Sequence, residues 1–484
     1  MEWISLIGSG VCVALFFSLA IFIHEFGHFL AARRLGLRVD AFSIGFGPAL
    51  WKRTVGGVVY KVGCVPFGGY VALPQLDPSG MEKVQGSGRG GEEETCSGLE
   101  DVAPWKRIVV ALAGPAGNLV LAILLAYFLF LAPGVKTGVL DTRIGSVSET
   151  SEAWKAGVRP GDRILSVNNR KVGTWADLQV ECQLAGDSGK AVFGIRRGDT
   201  VREVVLPFRT SEIVELKMLE GVFPATVCEV SALMPDMPAI QAGLLPDDVV
   251  TEINGQPVRE AQQFAEAIQR NQAVPATLAV RRGREIRRIV LTPRFDEASE
   301  RYLVGIVWKD AAERVRAWMM YRNPWRQLKW DSLSVVRVLQ ALLMPESKGE
   351  RKAVARNVGG PVAIVIGLFH TVRGDILDAV GFLRMICVNL AILNLLPFPV
   401  LDGGHILFAL YEVATRRKPH PKVVSVLVNA FAVLLIGLMA LLFYRDIARQ
   451  VKVSRAVRAA VREAEAQAAS GTNAPAGPRQ SELK

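Results

Sequence analysis

Hydrophobic positions are bunched along this chain. Apolar runs occupy residues 4–32, 108–132 and 359–444, while residues 137–355 read as water-soluble sequence. A membrane span needs about 20 mostly apolar residues at ~1.5 Å rise each. Four segments meet that length: residues 4–32, Ile108–Leu131, about Ile376 to Leu396, and Val423–Tyr444. The first is not a cleavable signal peptide, because it lacks a basic leader and its apolar run is too long. Arg384, about two turns into the third span, is expected to snorkel to the near interface. Lys/Arg in short connections set orientation. Arg33, Arg34, Arg38, Lys106 and Arg107 put the first connection in the cytoplasm, and Arg416, Arg417, Lys418 and Lys422 do the same for the last. Both termini and residues 133–355 then lie outside, although the tail carries Arg445, Arg449, Lys452, Arg455, Arg458 and Arg462 against that assignment.

Within the external region, "AWKAGVRPGDRILSVNNRKV" (153–172) and "AIQAGLLPDDVVTEINGQPV" (239–258) repeat at an offset of 86. Each reads as a helix ending at Ala-Gly, a proline turn, a short apolar strand and an Asn-rich tight turn. The pattern resembles PDZ domains in their circularly permuted bacterial form. That resemblance implies two small β-rich modules able to capture a peptide as an added strand, or else two spacers with degenerate grooves.

The remaining segments divide by composition. Residues 36–104 contain "FSIGFGPAL" and "VPFGGYVAL" around "WKRTVGGVVYKV", which suggests hairpins, followed by a Gly/Ser/Glu-rich stretch, 79–98, expected to be a mobile loop. Residues 313–358, with Trp318, Trp325 and Trp330 among Arg and Lys, suit interfacial amphipathic helices or a linker helix packed on the second module. The expected order is span one 1–35, hairpin and loop 36–104, span two 105–132, modules 133–215 and 216–312, interfacial helices 313–358, span three 359–405, cytoplasmic loop 406–422, span four 423–444 and a basic, partly disordered tail 445–484.

Charge and cysteines narrow the partners. Net charge is +11, with much of the excess near span ends and in the tail. Lys/Arg stripes interleaved with aromatics are absent, so anionic membrane lipid is expected and nucleic acid is not. The six cysteines contain no CxxC pair, which argues against a disulfide framework or a cysteine zinc site.

The chemistry sits where it is most costly. "HEFGH" places His24 and His28 one turn apart on one helix face, with Glu25 between them, inside an apolar span. Two imidazoles at that spacing suit one zinc ion, and an open position would hold a water whose pKa falls to roughly 7. Glu25 can accept that water's proton and return it to a leaving amine. Two other readings use the same residues: a structural polar cluster, and a proton or metal pathway. A third ligand must come from elsewhere. In "NLAILNLLPFPVLDGGH" (389–405), Pro397 and Pro399 interrupt the third span and Asp402 follows beside two glycines, with His405 as competitor.

These motifs, in order, resemble the site-2 protease family: HEFGH, "FSIGFGP", "VPFGGYV", "AGPAGN", the tandem repeat, and "NLLPFPVLDGG". The resemblance spans about residues 1–450. It implies a polytopic α-helical membrane protein with four transmembrane helices, two tandem external PDZ-like domains and a membrane-associated β-hairpin. It further implies an intramembrane zinc metalloprotease with one Zn2+ held by His24, His28 and Asp402. Glu25 is then the general base, and Asn394, Pro397 and Pro399, with Asn389 a weaker candidate, hold substrate. The implied substrates are single-pass proteins, namely anti-sigma factors already shortened by another protease and remnant signal peptides. The implied location is the bacterial inner membrane, with the site near its cytoplasmic side. A non-catalytic membrane PDZ scaffold is the alternative, and the glutamate beside the two histidines argues against it.

Overall fold

The computed structural model describes residues 2–76, 102–133, 140–185, 189–210, 217–225, 228–258, 261–283, 285–297, 299–309, 320–345 and 348–469. The expected mobile loop 79–98 lies outside them. The chain forms two compact units. One comprises Met1–Val135, Arg322–Val338 and Val358–Lys484, and the other Lys136–Tyr321 and Leu339–Asn357.

The first unit opens with helix α1 (Glu2–Arg34), an antiparallel hairpin of β1 (Ala41–Val55) and β2 (Val58–Ala72), and helix α2 (Pro104–Leu131). Phe29, Ala32, Leu37, Phe42, Val58, Leu73 and Val110 form one buried cluster, so the hairpin packs onto the C-terminal end of α1. Helices α1 and α2 approach closely through small residues. A Cβ on Gly27 would lie 2.2 Å from the Ala113 carbonyl oxygen.

The second unit holds the repeat. Its first module runs through β3 (Ile144–Val147), α3 (Glu152–Lys155), β4 (Arg163–Val167), β5 (Arg170–Lys171), α4 (Trp175–Leu184), β6 (Lys190–Arg197), β7 (Thr200–Thr210), β8 (Lys217–Leu219) and β9 (Val222–Pro224). The second runs through β10 (Cys228–Leu233), α5 (Pro238–Gln241), β11 (Val249–Ile253), β12 (Gln256–Pro257), α6 (Ala261–Asn271), β13 (Ala276–Arg282), β14 (Glu285–Leu291), β15 (Arg294–Asp296), β16 (Arg301–Leu303) and β17 (Ile306–Trp308). The anticipated helix, turn, strand and Asn turn appear in both copies, with Gly157 and Gly243 at φ +81° and Asn168 and Asn254 at φ +46° and +50°. The shared aspartates have a common partner. Arg197 grips Asp162 at 2.6 Å through both oxygens, and Arg282 grips Asp248 at 2.7 Å likewise.

The boundary expected at 215/216 moves. Strand β9 returns to pair with β3, and Val222 joins the first module's core, so that module extends to Pro224. Cys182 and Cys228 are not joined in a disulfide and lie buried in separate cores.

The chain continues through α7 (Pro324–Leu343), α8 (Lys348–Asn357), α9 (Pro361–Gly374), α10 (Ile376–Asn394), α11 (Asp402–Thr415) and α12 (Pro421–Ala469). Segment 359–405 is therefore three helices rather than one span. Asp375 adopts extended backbone between α9 and α10 and caps the latter, its carboxylate accepting from the Leu377 N–H. The Pro397/Pro399 stretch separates α10 from α11. Most of the expected loop 406–422 is α11. The tail expected from 445 continues α12 as helix to Ala469, and 470–484 lie outside the described residues. Asp446 fastens that helix to the start of α9, accepting from the Gly360 and Ala363 N–H groups.

Arg384 corrects its own expectation. It does not snorkel. It is 1% exposed, and its Nε donates at 2.9 Å to Asp331 on α7, whose other carboxylate oxygen accepts from Gln327. A charge can stay buried when it is paired and hydrogen-bonded. Among the described residues, four helices are long and apolar enough to cross a membrane: Leu6–Arg34, Pro104–Leu131, Ile376–Asn394 and Pro421–Arg455.

Candidate metal and active site

One helical turn of α1 brings the Nε2 atoms of His24 and His28 to 3.3 Å. Asp402, the first residue of α11, completes the group. Its Oδ2 lies 3.3 Å from His24 Nε2 and its Oδ1 lies 3.4 Å from His28 Nε2. A carboxylate in a first helical turn is favoured by the helix dipole. The three candidate ligand atoms all fall within 4.8 Å of one another, and His405 is not a member of the group.

The protons in this cluster are scarce. His28 Nδ1 is 2.7 Å from the Val110 carbonyl oxygen. A carbonyl can only accept, so Nδ1 carries a hydrogen, and in the neutral ring Nε2 then keeps its lone pair on the side of the carboxylate. Asp402 Oδ2 is buried without a hydrogen-bond partner, although His24 Nε2 is nearby. Converging acceptors in a buried site repel unless a cation sits among them. Two imidazole nitrogens and a carboxylate oxygen are a zinc donor set that leaves a fourth position open.

Glu25 follows the first histidine on α1. The hairpin reaches it through Gly69 of β2, where a Cβ would lie 3.0 Å from Glu25 Cγ and from Ile21. Asn394, at the end of α10, places its amide nitrogen 3.4 Å from His24 Nε2. Asn389 makes no side-chain hydrogen bond to the cluster, and its Oδ1 is buried without a partner. Pro397 and Pro399 lie in the reversal between α10 and α11. Gly403 and Gly404 make that reversal tight, since a Cβ on either would lie 2.2 Å from the carbonyl oxygen of Leu396 or Phe398.

Sequence reading gave no role to α2, which backs the histidines. Val110 accepts from His28. Gly114 lies against the same ring, where a Cβ would be 2.2 Å from Nε2. Asn118, fully buried, puts Nδ2 3.3 Å from His24 Nδ1. The available signal was a lone amide in a charge-free span, which is costly unless used.

Residues 12–438 match the family model described as Peptidase family M50. The chain is 31% identical over 446 residues to a Vibrio cholerae protein named "Putative zinc metalloprotease", covering 88% of this chain and 95% of that one. It is 28% identical over 448 residues to the regulator of sigma-E protease RseP of Escherichia coli, covering 89% and 96%. Against the protease RseP of Yersinia pestis it is 30% identical over 451 residues, covering 89% and 96%. A solved PDZ domain of the SdrC-like protein of Listeria monocytogenes aligns with 18% of this chain and 93% of its own length, at 21% identity and TM-score 0.17, a likeness too slight to bear on the fold. The family match over most of the chain, and relatives of its full length, make this protein a zinc-dependent metalloprotease that belongs to peptidase family M50, the site-2 protease family.

Proposed function

We propose that the protein is an intramembrane endopeptidase that cuts the transmembrane segments of single-pass proteins. The observation that carries this reading is the convergence of Asp402 on His24 and His28 beside Glu25, the last three lying in a helix apolar enough to span a membrane. Zinc, when held by those three side chains, supplies Lewis acidity and makes a water molecule nucleophilic at neutral pH. Glu25 accepts that water's proton and delivers it to the departing amine. Asn394 and the Pro397–Pro399 reversal hold the substrate backbone close to the ligands. A substrate helix hides its carbonyls until it is extended, and the β1–β2 hairpin beside Glu25 offers a strand for it to pair with.

The repeat modules are PDZ-like domains on the outer side of the bacterial inner membrane, and the ligand cluster sits toward the cytoplasmic side. Substrates of this class are anti-sigma factors already shortened outside the membrane, and remnant signal peptides. The modules act as a size filter or read the new C-terminus.

The test compares purified wild type with Glu25→Gln in detergent, each given a truncated single-pass substrate, with bound zinc quantified. The expected outcome is cleavage by wild type alone and equal zinc in both. Cleavage by the glutamine variant would remove Glu25 from the role of base.

A further inference from the structure

We propose that Asn118 acts as the hydrogen-bond acceptor that fixes the tautomer of His24 and so turns Nε2 toward the metal, an inference that rests on His24, His28 and Asp402 being the zinc ligands. A neutral imidazole carries one N–H. If Nε2 gives its lone pair to zinc, the hydrogen must sit on Nδ1, and in an apolar interior that donor is costly unless something accepts it. For His28 the acceptor is the Val110 carbonyl. For His24 the group facing Nδ1 is the Asn118 amide, at 3.3 Å.

With Nδ2 turned toward His24, the amide could only donate, and it would hold the wrong tautomer. In that orientation Asn118 Oδ1 is buried without a partner. A half-turn of the amide, nearly neutral in shape, brings Oδ1 to the Nδ1 hydrogen and moves the unpartnered position from the oxygen to the amide nitrogen. Asn118 is 0% exposed and belongs to α2, eight residues after Val110. A single helix, supplying no ligand itself, thus sets the protonation pattern of both histidines. Asn118 is a positioning residue, since it acts through His24.

The experiment uses the full-length Glu25→Gln protein in detergent and measures zinc affinity by competition with a chromophoric chelator. The visible spectrum of the cobalt-loaded protein is recorded alongside. Asn118→Leu keeps the volume and removes the acceptor, whereas Asn118→Asp keeps an acceptor and removes the donor. The expected result is a loss of zinc affinity of about 10- to 100-fold for leucine, with a changed cobalt spectrum, and affinity within a few-fold of the parent for aspartate. A packing role alone predicts the reverse order, because leucine would be tolerated and a buried carboxylate would not. Parental affinity in Asn118→Leu, or an equal or greater loss in Asn118→Asp, overturns the proposal. Asn118→Ala repeats the comparison if the leucine variant does not fold. His24→Ala in the same assay keeps the two readings apart: unchanged zinc there refutes the ligand assignment itself.

Discussion

At the scale of single residues, the site depends on what is missing as much as on what is present. Gly114 is such a position, because any Cβ there would fall on the His28 ring. Alanine is otherwise the better helix former by about 1 kcal/mol, so Gly114→Ala should not weaken α2 on propensity grounds. We expect it to displace His28 and to lower kcat/KM by about 100-fold, the scale set by a misplacement near 1 Å. Zinc content should fall with it. Steady-state kinetics and metal analysis on purified protein check this, and a fully active alanine variant would refute the contact. The candidate ligands were legible because their grammar is local. His24, Glu25 and His28 share one helical turn, and Asp402 stands at a proline break that no span would otherwise keep. Asn118, Val110 and Gly114 were not legible as a group, since their meaning comes from a helix packed about 90 residues away in sequence.

At the scale of elements, two kinds of charge pair invite measurement. Arg384 and Asp331 join α10 to α7 with both side chains buried. Removing one member leaves an uncompensated charge and costs about 3–5 kcal/mol. Replacing both, as Arg384→Met with Asp331→Leu, should cost clearly less than the sum of the single changes. A double-mutant cycle on unfolding in detergent reads that coupling, and strict additivity would contradict the pairing. The repeat modules carry the second device. Burial raises the Asp162 carboxyl, but hydrogen bonds from Arg197 and the Arg159 N–H outweigh it and hold the group below its usual range. Asp248 is lowered in the same way by Arg282 and the Leu245 N–H. A folded value below the unfolded one gives stability that is present above the unfolded value, near 3.8, and lost as pH falls through the folded one. Thermal scans of the whole protein between about pH 5 and 2, followed through Trp154 and Trp175, should show that acid loss reduced in Asp162→Asn. Sequence alone exposed the aspartates, because they recur at a fixed offset. The arginines escaped notice because β6 and β13 each end in two adjacent arginines, and only strand pairing selects which one meets the aspartate. The same long-range pairing hid the end of the first module, since β9 belongs to β3 nearly 80 residues earlier.

At the scale of the whole molecule, the third candidate ligand lies far along the chain from the first two. Residues 24 and 28 lie in α1, and residue 402 comes after the repeat modules and four further described helices, α7 to α10. Ribosomes add about 5–20 residues per second, so roughly 20–75 s of synthesis separate His28 from Asp402 at that rate. Throughout that interval the emerging chain holds a His-Glu-x-x-His helix with no carboxylate to finish the cage. A chain ended after residue 395 should accordingly purify with little zinc, by metal analysis, even where α1 and α2 have formed. With the three candidate ligands as proposed, translation order works as a safety catch: the blade is forged first, but it cannot take an edge until the repeat modules and the helices after them have been made.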